Sequence, residues 1–146
     1  MRIILFSTLI ILSASLTMAQ SKMIDSLSRD IETRGPDTSK VNSFRMLTGL
    51  VRLTDPAKAI AYGKEGIGLG RQLRFDRGLA GCYLNLSAAY IAASKLDSAL
   101  VHIDTAVVIS KKVGEANRLA LVYLNRADIY MQLRNLNQSL KDCDTA

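Results

Sequence analysis

Along the second half of the chain, apolar residues recur at three- and four-residue steps, the period of a helix with one buried face. Tyr83, Leu86, Ala89 and Tyr90 form one such stripe. Ala93-Ser94-Lys95 interrupts it, and Leu96, Ala99, Leu100, Ile103, Ala106, Val107 and Ile109 make a second. Gly114, directly after Lys111-Lys112-Val113, predicts a helix end: glycine closes the last turn, and the lysines sit near the negative carbonyl end. Thr54-Asp55-Pro56 predicts a helix start, with a capping side chain followed by proline at the first helical position. Upstream, Met23, Ile24, Leu27 and Ile31 form a short stripe that ends before Gly35-Pro36. This predicts an N-terminal helix over residues 21–34, within an N-terminal covering segment 20–36.

Laid on itself with a shift of 40, the chain repeats. Leu79 to Ala106 aligns without a gap on Leu119 to Ala146, with 11 identities in 28 positions, where ordinary composition gives about two. Tyr-Leu-Asn and Asp-Thr-Ala each recur whole. A weaker copy lies 40 residues earlier: Ala59 matches Ala99, Ile60 matches Leu100, and Gly66 falls at the small position of Ala106. Its first half is degenerate, with Leu50 where Tyr90 would be. The reading is an array over 37–146, in units of about 39–78, 79–118 and 119–146, the last cut off within its second helix.

Each unit is a pair of helices, and the spacing resembles that of the tetratricopeptide repeat. Tyr83, Leu86, Ser87 and Tyr90 fill that family's first-helix positions, and Ala99, Ile103 and Ala106 fill the second. In the last unit Tyr123, Ala127, Tyr130, Ser139, Cys143 and Ala146 fit. Arg126 stands where a leucine is expected, which predicts weakened packing or an exposed edge there. The longer unit fits a lengthened second helix. The resemblance implies an all-α fold, a right-handed α-solenoid of tandem helix-turn-helix repeats. In such a fold no unit buries its stripe alone, and stability comes from stacking neighbours.

Composition fits helix: 49% of residues are apolar, aromatics are 5%, and there are two prolines. Residues 1–19 are set apart. Arg2 precedes an almost wholly apolar run from Ile3 to Leu12, and Leu16-Thr17-Met18-Ala19 offers small residues before Gln20. That is the pattern of a secretory signal peptide cut after Ala19, with an uncleaved anchor as the alternative. Its removal takes the net charge from +6 to +5. Acids are interspersed with the bases, and Asp76 sits within the Arg71, Arg74, Arg77 cluster. A mildly basic, solvated surface is expected, in a periplasmic or otherwise extracytoplasmic location, with no nucleic-acid partner. Cys82 and Cys143 are expected to be small buried hydrophobes, unpaired.

No catalytic set can be assembled, so no enzyme activity, cofactor or metal is expected. Gly63, Gly66, Gly68 and Gly70 beside Lys64 match neither a dinucleotide nor a nucleotide-phosphate loop. They read as a soft or closely packed helix. His102, the chain's one histidine, is placed on the polar side of its helix. What remains is surface. The resemblance implies a concave groove for a peptide or partner helix, lined by Leu84, Asn85, Ala88, Ile91 and Ala92, then Leu124, Asn125, Asp128, Met131 and Gln132. Asn85 and Asn125 would either donate to a bound backbone or stabilise the repeat. Basic residues for a carboxylate-clamping groove are not evident. The expected function is a protein-interaction scaffold. The alternative is the sensory N-terminal region of a larger membrane signalling protein. The array lacks a polar capping helix, so Leu136, Leu140 and Cys143 are expected to face solvent. That predicts a longer parent protein or self-association through this end.

Overall fold

The computed structural model describes the backbone of residues 2–146 and the side chains of residues 18–135 and 138–146. All but the last two side chains of the expected signal peptide, and that of Leu136, lie outside the described residues. Among the described residues there are seven helices and no strand: α1 Arg2–Thr33, α2 Thr38–Val51, α3 Pro56–Gln72, α4 Asp76–Ala92, α5 Leu96–Val113, α6 Ala116–Gln132 and α7 Leu136–Thr145. No helix among the described residues is long and apolar enough to cross a membrane. The helix expected over 21–34 is the C-terminal part of α1. Helices α4 and α6 start three residues before the unit boundaries drawn at 79 and 119.

The turns follow from local chemistry. Asp37 and Asp55 cap α2 and α3 by accepting from the amides of Lys40 and Lys58, and Pro56 occupies the first turn of α3. Helices α3, α4 and α6 end in the same way. Arg74, Ser94 and Arg134 take left-handed conformations, and the next amide reaches back to the carbonyl of Gly70, Tyr90 or Tyr130 at 2.9, 2.9 and 2.7 Å. Gly114, at φ 74°, closes α5 as expected.

Helices α2/α3, α4/α5 and α6/α7 form hairpins stacked in chain order, each second helix packing on the first helix of the next hairpin. This is an α-solenoid of helix-turn-helix repeats. The core runs the length of the stack, through Val41, Ile67, Leu79, Cys82, Leu86, Ile103, Ala106, Val122, Tyr123 and Ile129. Ala99 and Ala106 are fully buried, and the hydroxyl of Ser87 donates to the carbonyl of Ala99 at 2.8 Å, pinning α4 to α5. Three of the α3 glycines are a groove for α4. A Cβ at Gly63 would stand 2.9 Å from Leu86, at Gly66 3.1 Å from Cys82, and at Gly70 3.0 Å from Leu79. Gly68 faces open space.

Four expectations change. Cys82 is buried, and its thiol is pushed up to about 12 by desolvation. Cys143 is exposed, as is Leu140 at 66%; this agrees with the expectation for this end of the array and overturns the reading of Cys143 as a buried hydrophobe. Ile103, the counterpart of Cys143, is buried in a cluster shared with Val122 and Tyr123 of α6, whereas among the described residues α7 packs only on α6. His102 does not face the polar side. It stacks on Tyr90 at 5.1 Å between ring centres and lies 5.9 Å from Tyr83.

Arg126 does not loosen its helix. It grips Asp142 of α7 with two bonds of 2.6 and 2.7 Å and Asp104 of α5 with one of 2.9 Å. Its guanidinium also lies over the Tyr123 ring. The hydrogen bonds to Asp142 raise its pKa further. Asp142 is 1% exposed, so this pair is a buried latch across three helices. Finally, the first unit is not degenerate. Phe44, Leu47, Thr48 and Val51 occupy the places of Tyr83, Leu86, Ser87 and Tyr90 at a shift of 39, with Leu47, Thr48 and Val51 buried. From Val51 to Ala59 the copy is one step shorter than from Tyr90 to Ala99, because α2 stops two residues short of the place of Ala92 while the turn after it is one residue longer; that offset hides it from an ungapped search.

Candidate functional site

Helices α2, α4 and α6 touch one another in sequence, whereas α3, α5 and α7 make no mutual contact among the described residues. The first helices of the hairpins are therefore drawn together, and the second helices splay. The stack curves with α2, α4 and α6 on its concave side.

On this side the main cavity, about 620 Å³, is lined by Arg45 of α2, Arg77, Gly81, Leu84 and Asn85 of α4, and the stretch from Gly114 to Arg118 with Leu121 of α6. Three arginines and one carboxylate line it. Glu115 pairs with Arg77, and with Arg118 at 2.9 Å; Arg118 also donates to the Arg77 carbonyl. Burial lowers the pKa of Arg118, Glu115 opposes this, and Arg45 and Arg77 lower it further. Arg45 has no carboxylate partner among the described residues. Its Nε donates weakly, at 3.5 Å, to the uncharged amide oxygen Asn42 Oδ1. Gly81 makes room for this crossing: a Cβ there would stand 2.5 Å from Arg45 Cδ and 3.1 Å from Arg118 Nη1.

Of the residues singled out from the sequence, Leu84 and Asn85 line this cavity. Ala88, Ile91 and Ala92 continue along α4, half-buried. On α6, Leu124 and Met131 are 49% and 54% exposed, with Leu121 at 53% on the same stripe. Asp128 accepts from Gln132 within the helix at 3.0 Å. The two asparagines differ in role. Asn85 donates to the Arg45 carbonyl at 2.7 Å and ties α4 to α2. Asn125 donates to Leu121 of its own helix at 2.8 Å.

The absence of groove arginines is the expectation that fails here. Arg45, Arg77 and Arg118 lie far apart in sequence and at unequal repeat positions, so the self-alignment does not flag them. The Arg77 cluster was visible, but Asp76 beside it pairs instead with Lys112, at 2.7 Å. Chemically, the site offers cations and apolar surface, with no nucleophile beside a base. Among the described residues no cluster of histidine, cysteine or carboxylate side chains is placed to hold a metal ion.

The fold and the site thus define a class: a curved stack of helical hairpins with a mixed cationic and apolar concave face. No family model matches the chain, and no curated protein matches it. Among solved structures, it is similar to the crystal structure of the TPR domain of Arabidopsis FLU, with a TM-score of 0.67 and 23% identity over 73% of this chain and 91% of that one. At that identity the likeness establishes the tetratricopeptide-like fold.

Proposed function

We propose that this chain is a non-catalytic protein-interaction scaffold that receives a peptide or partner helix on the concave face of α2, α4 and α6. One observation carries this reading. Leu121, Leu124 and Met131 project from α6 at helical spacing, about half exposed, beside the cavity. Apolar side chains at that spacing are normally buried against a neighbour. Leu121 shares the cavity wall with Leu84 of α4. Domains of this fold generally act as interaction modules, which supports the same reading.

The test is selection of peptides from a random display library on the full chain. Binders are expected to lose affinity at least tenfold on Leu124→Asn or Met131→Asn, and to be indifferent to Val108→Asn, on an exposed position of α5. Binders indifferent to both α6 changes would overturn the reading. Export belongs to the same proposal and rests on residues 1–19. Expression in a bacterial host is expected to yield a periplasmic protein whose first residue is Gln20, by mass spectrometry; a cytoplasmic, uncut chain would refute it.

A further inference from the structure

We propose that the cleft between α1 and α3 binds a small zwitterion with an apolar side chain: a free apolar α-amino acid. The cleft shares no lining residue with the concave cavity, and the proposal does not depend on the groove reading.

A glycine is the first indication. In a helix glycine is less favourable than alanine, because its backbone has more freedom to lose and it has no side chain to pack. On α3 this is offset at Gly63, Gly66 and Gly70, where a Cβ would crowd Leu86, Cys82 or Leu79. At Gly68 a Cβ would meet nothing within 4 Å. Nor does the repeat require glycine there, since the position 40 residues on in α5 is Val108, 67% exposed. What the bare backbone of Gly68 does line is a cavity of about 320 Å³.

The cavity exists because α1 and α3 both pack on α2 and make no contact with each other among the described residues. Ile31 of α1, Pro36 of the turn, Phe44 of α2 and Leu69 of α3 give it apolar walls. Its volume lies at the small end of ligand pockets, which suits one compact apolar group and is too little for a helix or strand.

Charge then selects the ligand. Lys40 and Glu65 both line the cavity, yet among the described residues neither forms an ion pair, with the other or with any third side chain. Lys40 Nζ donates instead to the Arg34 carbonyl at 2.9 Å. That bond holds the ammonium at the α1–α2 turn and leaves two of its three hydrogens for a ligand. A ligand carboxylate meets Lys40, and a ligand ammonium meets Glu65. A molecule with one charge leaves one of these groups unanswered, and an uncharged molecule leaves both.

Isothermal titration calorimetry of the full chain with L-leucine and L-phenylalanine is the test. Both are expected to bind with sub-millimolar affinity. Glycine lacks the apolar body, isocaproate the amine and isoamylamine the carboxylate; each is expected to bind about tenfold or more weakly than leucine. Glu65→Gln and Lys40→Met should each weaken leucine by a similar factor. Gly68→Leu should fill the cavity and abolish binding, with the helical circular dichroism unchanged. On the unaltered chain, leucine should slow hydrogen exchange over residues 31–40 and 65–72, which line the cleft, and leave α6 as it was. Absence of binding by both amino acids at millimolar concentration overturns the site. Equal binding of isocaproate or isoamylamine overturns the zwitterion. Binding that survives Gly68→Leu, or protection that appears only on α6, overturns the placement in this cleft. Each of these outcomes leaves the groove reading untouched.

Discussion

A single methyl group separates two of the glycines of α3. A Cβ on Gly66 would meet Phe44 Cβ at 3.0 Å and Cys82 Sγ at 3.1 Å, whereas one on Gly68 meets nothing. Gly68→Ala gains helix propensity without a clash and is expected to stabilise the protein by about 1 kcal/mol. Gly66→Ala forces α3 away from α2 and α4 and is expected to cost roughly 1–3 kcal/mol. Urea melts check both; equal effects of the two would refute the packing account. His102 offers a second residue-scale test. Burial, and then Lys64, lower its pKa below the ordinary 6.5. The unfolded chain therefore binds a proton first as pH falls through about 6.5, and stability declines there until the folded histidine also titrates. His102→Gln should flatten the stability profile between about pH 7 and 5. An unchanged slope would exclude this histidine as its source.

Between elements, the Arg126–Asp142 latch is the strongest polar link. It stands where the middle unit has Leu86 and His102, so one repeat closes its hairpin with apolar and aromatic packing and the next with charge. Arg126→Leu alone strands a buried carboxylate and is expected to cost about 3–5 kcal/mol. Adding Asp142→Leu removes that charge and should restore most of the loss. Additive penalties in the double-mutant cycle would show that the two do not act as a pair. Arg126 illustrates what pattern matching misses. Against a repeat template it is a defect, because its partners Asp104 and Asp142 belong to other helices.

Across the whole molecule, packing is uneven. Helix α4 touches α2, α3, α5 and α6, while α1 touches only α2 and α7 only α6 among the described residues. In a stack where each unit contacts its neighbours, local opening starts where the fewest neighbours must be broken. Hydrogen exchange is expected to be slowest in α4 and α5 and fastest in α1 and α7; uniform protection would contradict this. The curvature belongs to the same scale. It arises because small residues and glycines let the first helices close up, and it gathers Arg45, Arg77 and Arg118 around one cavity.

The hairpins, their turns and the two clear repeats were legible in the sequence, because helix periodicity, caps and breaks are local. Buried positions such as Ala99, Ile103 and Ala106 followed from the same period. The first unit's leading helix was obscured by a one-residue offset, since a self-alignment without gaps carries no knowledge of where a helix can stop early. The tertiary structure alone decided the rest: the stacking of His102, the burial of Asp142, and the arginine cavity on the concave face. Each depends on which side chains from distant helices meet, and the electrostatics and desolvation that give them meaning exist only once the helices are stacked.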